Sequence, residues 1–217
     1  GDGSLRRRNF EPALYVQDHW TIPGGPVVEI GVRTEGNRIT GEWEASPRAS
    51  LAWSPRQMKG LKISAGFGVF SDPLNLEVLT RPLDQASVTR YYASTGTPAG
   101  EPVVRRLVAD EKAIRVPRAR GYSLSLERAL PWGFQGKASY LRRVAWRGLT
   151  FAEPAGGPSQ ATLDYTLTNQ RRDRYDAVEL STRRSFAGRY EWFVSYTYSK
   201  ARSNAVVDYR IENPVFG

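Results

Sequence analysis

Four reversals in this chain leave room for little more than a tight turn, and long polar excursions alternate with them. The tight connections fall at Ile22–Pro26, Ser54–Gly60, Leu130–Gly133 and Phe186–Arg189. The long ones fall at about 36–46, 72–117 and 149–171, with a fourth running from near Ser203 across 203–217. Between them one strand pattern recurs about eight times. Connections that are short at one end of the strands and long at the other are the plan of a transmembrane barrel, with short turns inside and long loops outside. A soluble sandwich has no reason to sort its connections this way. The expected fold is therefore all-β: an antiparallel up-and-down transmembrane β-barrel segment of about eight strands, part of a larger barrel and spanning 1–217.

Successive strand residues point to opposite faces, so a membrane strand should read apolar on one face and polar on the other. Val28, Ile30 and Val32 oppose Glu29, Gly31 and Arg33. Ile63, Ala65, Phe67 and Val69 oppose Lys62, Ser64, Gly66 and Gly68, and Tyr122, Leu124 and Leu126 oppose Ser123, Ser125 and Glu127. Trp192, Val194, Tyr196 and Tyr198 oppose Glu191, Ser195, Thr197 and Ser199, with Phe193 as an exception. Mid-strand charges fall on the polar face in almost every segment, as expected where a charge at the bilayer midplane costs roughly 2–4 kcal/mol. Arg128, Arg142 and Lys200 break the pattern near strand ends, where long side chains can reach the interface. The expected pore-lining set is Glu29, Arg33, Lys62, Ser125, Glu127, Lys137, Glu179, Arg183 and Ser195. The first strand, Ala13–Thr21, is ambiguous, because Asp18 shares parity with Leu14, Val16 and Trp20.

Alternation alone also fits a sandwich with one solvated face. Tryptophan position argues against that. Trp20, Trp53, Trp132 and Trp192 each lie within a few residues of a tight turn, and amphipathic rings collect at the headgroup level. These four are the expected membrane-interface aromatics.

No apolar run approaches the roughly 20 residues of a membrane helix, and the mean hydropathy is −0.49. Neither observation bears on a barrel, whose strands need only about 9–11 residues. The net charge of +9 raises nucleic-acid binding, but the basic residues are spread along the chain without a recognised fold signature, so no nucleic-acid partner is expected. Zero Cys removes a disulfide framework and most structural zinc sites. The one His, His19, cannot build a His-based metal site alone. Neither a nucleophile elbow nor a dinucleotide loop is present; Gly66 and Gly68 read as glycines that ease curvature or a close approach. The expectation is a non-enzymatic chain without catalytic residues, metal or cofactor.

Several segments resemble a known family. ALYVQDHW at 13–20 is similar to a strand opening carried by many TonB-dependent outer-membrane receptors. SPRASLAWSP at 46–55 and GFGVFSD at 66–72 resemble their next two strands. YDAVELSTRRSF at 175–186, followed by WFVSYTYSK at 192–200, resembles a hairpin of large receptors with an N-terminal carboxypeptidase-regulatory-like domain. The match is a pattern over roughly the whole chain, carried by motif order. It implies a bacterial outer-membrane location and energised uptake of a scarce nutrient. It also implies a barrel of about 22 strands around a plug, of which this chain would be roughly a third. The implied partners are outer-membrane lipid, the rest of the barrel and plug in the same parent chain, the TonB complex through segments outside this sequence, and a small nutrient ligand. The absent signal sequence and initiator Met also suggest a piece of a longer chain.

Loops on a rigid scaffold carry binding more often than the scaffold does. Within 72–117, Arg90, Tyr91, Tyr92, Arg105 and Arg106 are the candidate ligand-binding residues, able to stack on a sugar or pair with an anionic group. Two alternatives stay open: a complete small eight-stranded outer-membrane barrel acting as adhesin or enzyme, and a soluble ligand-binding β-barrel or sandwich.

Overall fold

The structure is a computed structural model that describes residues 8–152, 162–186 and 188–205. Its strands are β1 (Ala13–Thr21), β2 (Val27–Asn37), β3 (Glu42–Trp53), β4 (Leu61–Ser71), β5 (Ala86–Thr89), β6 (Val103–Val108), β7 (Arg118–Ala129), β8 (Phe134–Ala152), β9 (Thr162–Phe186) and β10 (Tyr190–Ser203); one helix, α1 (Leu76–Asp84), precedes β5. All ten strands form one sheet in the order β1-β2-β3-β4-β7-β8-β9-β6-β5, with β10 also on β9. Eight of them, all but β5 and β6, make an antiparallel up-and-down wall. The about eight expected strands are these, and the other two arise inside the 72–117 excursion.

Register carries one face across the wall. Ile63, Leu126, Ala138, Leu180 and Tyr196 stand opposite one another along five adjacent strands. One residue away, Lys62, Glu127, Lys137, Ser181 and Ser195 form the neighbouring row. A slip of one residue in any strand would exchange these faces. The apolar face is uncovered: Leu124 is 53% exposed, Leu180 52% and Tyr196 63%. The chain exposes 15039 Å², against about 10,000 Å² expected of a soluble monomer of this length. An uncovered apolar face of this extent calls for an apolar partner, which argues against the soluble sandwich.

Among the described residues β1 pairs only with β2, and β10 only with β9. The sheet is open, so the complete eight-stranded barrel is not what these residues form.

The buried hydrophobic cluster lies at the long-loop end, away from the middle of the wall. Strands β8 and β9 continue well past the about 9–11 residues that cross a bilayer, and Leu149, Phe151, Leu163, Tyr165 and Leu167 of this extension are buried. Leu74, Val78, Leu79, Leu107 and Ile114 of the excursion complete the cluster. Helix α1 starts where the Asn75 side chain accepts from Glu77 N–H at 2.9 Å, filling an orphan donor of the first turn. An Arg81–Glu77 ion pair spans its exposed side, and its Val78 and Leu79 enter the cluster. Each buried Val or Leu contributes about 1.5–3 kcal/mol. Strand β6 then lies parallel on β9, Val104 opposite Thr162 through Val108 opposite Thr166.

The tight connections fall where the sequence places them, but the long ones are more structured. Residues 36–46 are largely ladder: β2 runs to Asn37, β3 starts at Glu42, and only 38–41 turn. The Asn37 carboxamide accepts from Ile39 and Thr40 N–H at 3.0 and 3.2 Å, and Gly41 takes φ 69°. Polar side chains there concealed strand, because backbone pairing above the bilayer does not require an apolar face. For the same reason 149–171 shrinks: β8 reaches Ala152 and β9 starts at Thr162. The middle of that loop and most of 203–217 lie outside the described residues.

Candidate functional site

The polar face bears the expected pore-lining residues together. The Glu127 carboxylate lies 3.9 Å from the Lys137 ammonium, and Arg183 lies 3.6 Å from Glu191. Arg183 donates to Gln135 at 2.7 Å, and the Ser195 hydroxyl donates to Glu179 at 3.3 Å. Ser125 faces Ser64 and Ser139 in register. Glu29 is 4.0 Å from the His19 ring at the short-turn end, which places His19 in a polar pair. Arg33 pairs with Glu35 at 2.9 Å. The wall thus carries both signs in short compensating pairs.

Toward the long-loop end the polar face turns into a cavity of about 230 Å³ between β2, β3, the end of β4 and the start of the excursion. Phe70 forms its floor. A Cβ on Gly68 would come within 2.8 Å of the Phe70 ring, and one on Gly121 within 3.4 Å. The ring therefore lies on two glycines that face each other across β4 and β7. The close inward approach expected of Gly68 has this cause. Arg48 caps the stack, its guanidinium 5.5 Å from the Phe70 centroid and 6.0 Å from that of Tyr15. Among the described residues Arg48 has no carboxylate partner. A cation between two aromatic faces and without a counter-ion can pair with an anionic group.

A buried carboxylate closes the cavity above. Glu44 is 9% exposed and receives Arg118 at 2.6 Å and Arg147 at 3.0 Å. Arg147 reaches it from a bulge in β8, where pairing with β9 shifts and Arg147 itself has φ 58°. The Asn169 carboxamide donates to the Arg147 carbonyl at 2.6 Å and to the Arg115 carbonyl at 2.8 Å. Arg115 in turn pairs with Glu42. Arg143 pairs with Asp72 at 3.3 Å. Through Arg115 and Asp72 these contacts tie the excursion to three wall strands, β3, β8 and β9.

The five candidate ligand residues do not form one cluster. Arg106 makes two hydrogen bonds to Asp164, at 2.9 and 3.0 Å, that join β6 to β9. The Asp164 carboxylate raises the Arg106 guanidinium above its ordinary range, by hydrogen bonding first and charge attraction second. Arg105 donates to Thr89 at 3.1 Å and secures β5. Arg90, Tyr91 and Tyr92 remain exposed at the base of a loop closed by the Tyr92–Pro98 bridge. The two β6 arginines thus hold the scaffold on which the other three are presented. Arg48 escaped sequence reading because its segment read as strand alone, and Glu44 because it fell in the stretch 36–46 read as a long connection. Their signal was parity: both share the polar face with Ser46 and Ser50.

The four turn-flanking tryptophans share the short-turn end. Trp20 opposes Val28, Trp53 opposes Ile63, and Trp192 packs edge-on against Phe134 at 5.7 Å. Trp132 sits in a 3-10 turn with φ 60° and is 81% exposed.

The family profile described as outer membrane beta barrel domain matches residues 8–214. The chain belongs to this family. The barrel domain therefore resides in the bacterial outer membrane. No curated protein matches the chain by sequence. Among solved structures it is similar to the siderophore receptor PirA of Pseudomonas aeruginosa (TM-score 0.64, 16% identity, 89% of this chain and 34% of that one). It is also similar to the outer membrane transporter YddB of Escherichia coli (TM-score 0.70, 15% identity, 91% and 25%). A mutant ferric enterobactin receptor of Pseudomonas aeruginosa in complex with enterobactin is a third (TM-score 0.67, 17% identity, 88% and 27%). The barrel domain spans about a quarter to a third of the length of these chains. They are receptors and transporters, and the likeness is one of fold.

Proposed function

We propose that the chain is a wall segment of a TonB-dependent receptor that takes up a scarce small nutrient with energy from the inner membrane. One observation carries this reading: an open eight-stranded wall of constant facing, tight at one end and capped at the other by a folded excursion. Glu29, Arg33, Lys62, Ser125, Glu127, Lys137, Glu179, Arg183 and Ser195 then line the lumen. Trp20, Trp53, Trp132 and Trp192 anchor the periplasmic interface. The free edges of β1 and β10 join the remaining wall, since an unpaired strand in lipid costs several kcal/mol per group. The plug and the TonB contact belong to other parts of the parent protein. Arg90, Tyr91 and Tyr92 meet the ligand at the mouth by stacking and charge, and Arg48 receives an anionic group further in. The chemistry is binding and passage, without a reaction.

The test is growth of a strain carrying the parent gene on its limiting nutrient. Loss of growth promotion without the TonB complex, and on deletion of 90–98 with the barrel still assembled, is expected. Uptake that persists without the TonB complex overturns the proposal.

A further inference from the structure

On the apolar face, the wall changes character abruptly at its long-loop end. The row Leu124, Tyr140, Val178 and Tyr198 runs across β7, β8, β9 and β10. The next row on that face is Tyr122, Arg142, Asp176 and Lys200, and the one beyond is Arg120, Val144, Arg174 and Arg202. Five cations and one carboxylate thus occupy two adjacent rows directly above an apolar one. Contacts as well as parity set Tyr140, Arg142, Arg174 and Asp176 on one face. The Tyr140 hydroxyl donates to Asp176 at 2.8 Å, Arg174 donates to it at 2.7 Å, and Arg142 lies 3.8 Å away. Asp176 is thereby shared between two arginines. Arg120, Lys200 and Arg202 are exposed and have no carboxylate partner among the described residues.

Height places the cluster at an interface. From Arg184, whose guanidinium lies over Phe134 and Phe186 beside the short turn, to Arg174 is ten residue steps along β9. At about 3.3 Å per residue and a tilt of about 40°, that is about 25 Å of height, the thickness of a barrel's apolar band. Only small or apolar outward residues stand between them on this strand, apart from Asp176. A surplus of four positive charges at the outer rim would repel itself unless the neighbouring lipid supplied anions.

We infer that this four-strand patch binds the phosphate groups of the phosphorylated glycolipid of the outer leaflet. The acyl chains lie on the Tyr140–Val178–Tyr198 row, and the phosphates meet Arg120, Lys200 and Arg202, with Arg142 and Arg174 held upright by Asp176. Tyr122, opposite Arg142, adds an aromatic ring at the headgroup level. The inference rests on the outward facing of the apolar rows, which is checked separately by labelling a Leu180→Cys variant with a membrane-confined probe.

The assembled outer-membrane protein that contains this segment is extracted in detergent, delipidated and titrated with lipid A, bisphosphorylated or dephosphorylated, with retention read by native mass spectrometry. Binding of the bisphosphorylated form, weakened about tenfold or more by the combined R120E, K200E and R202E changes, is expected. A lumen-facing charge reversal, R183E, leaves it unchanged. Because the triple variant can fail to assemble, the unaltered protein provides an independent arm: it should prefer the bisphosphorylated over the dephosphorylated lipid. Equal binding of the two lipids, or equal loss with R183E, overturns the inference. If Leu180→Cys labels as lipid-exposed while the lipids bind equally, the phosphate site fails and the wall orientation stands.

Discussion

Glu44 and Arg147 stand 103 residues apart in sequence and 3.0 Å apart in the fold. Between their strands in the sheet lie β4 and β7, yet the carboxylate bridges the gap because β4 has ended at Ser71 and a bulge turns Arg147 toward it. Arg118 of β7 completes the bridge. A nearly buried carboxylate therefore ties β3 to β7 and β8 at the long-loop end of the wall.

Replacing Glu44 by Gln removes the counter-charge of two guanidinium groups. Breaking a fully buried pair costs about 3–5 kcal/mol, but Arg147 is partly solvated, so about 1–3 kcal/mol is expected. The loss should be local. Hydrogen exchange should accelerate at the long-loop ends of β3, β7 and β8, while the amides of β7 near Leu124 stay protected. Uniform acceleration along the wall would show that the clamp is not confined to the mouth.

The wall was legible from sequence because period-2 alternation, short turns and tryptophan position all point to the same eight segments. That Ile63 and Leu126 lie on one face and Lys62 and Glu127 on the other follows from parity alone. The mouth was not legible, since Glu42, Glu44 and Asn37 pair as strand without an apolar face to announce it. Nor does spacing reveal that β6 joins β9 in parallel, a contact between segments 58 residues apart at Arg106 and Asp164. The candidate cluster from Arg90 to Arg106 was assembled by proximity in sequence, and the fold divides it into presenters and supports.

Truncation of Leu79, only 2% exposed in the outer cluster, should cost about 2–5 kcal/mol as Leu79→Ala. That cluster sits above the bilayer. Limited proteolysis should therefore nick the excursion of the variant while the wall remains resistant. Complete digestion of the wall at the same protease dose would contradict the separation of core and wall.

The Arg106–Asp164 pair should hold β6 on β9 without pH sensitivity through the neutral and mildly alkaline range. Folding raises the arginine's proton affinity, so its contribution is fully present below the ordinary arginine range and is lost only as pH rises through the still higher folded value. Protease resistance of the β5–β6 region should stay level from neutral to mildly alkaline pH and fall on Asp164→Asn. A marked loss on mild alkalinisation of the unaltered protein would require a different titrating group.

Facing can be tested residue by residue. Single cysteines at Ile30, Leu124, Val194 and Tyr196 should react with a membrane-confined probe in the assembled parent protein, and those at Glu29, Ser125 and Ser195 should not. Equal labelling of both sets would break the parity argument on which the lumen assignment stands.

The last expectation concerns the piece by itself. Among the described residues strands β1 and β10 each have one unpaired edge, and every residue of both is exposed. In lipid an unpaired backbone group costs several kcal/mol, so an open wall does not persist there as a monomer. In water the same edges are templates for further pairing, and the apolar face adds to the drive. Refolding the 217-residue chain into detergent should give heterogeneous oligomers without a heat-sensitive compact band on a gel. A monodisperse monomer with such a band would mean that β1 and β10 can close on each other. The wall would then be a small barrel, and the lumen residues would line a pore of eight strands.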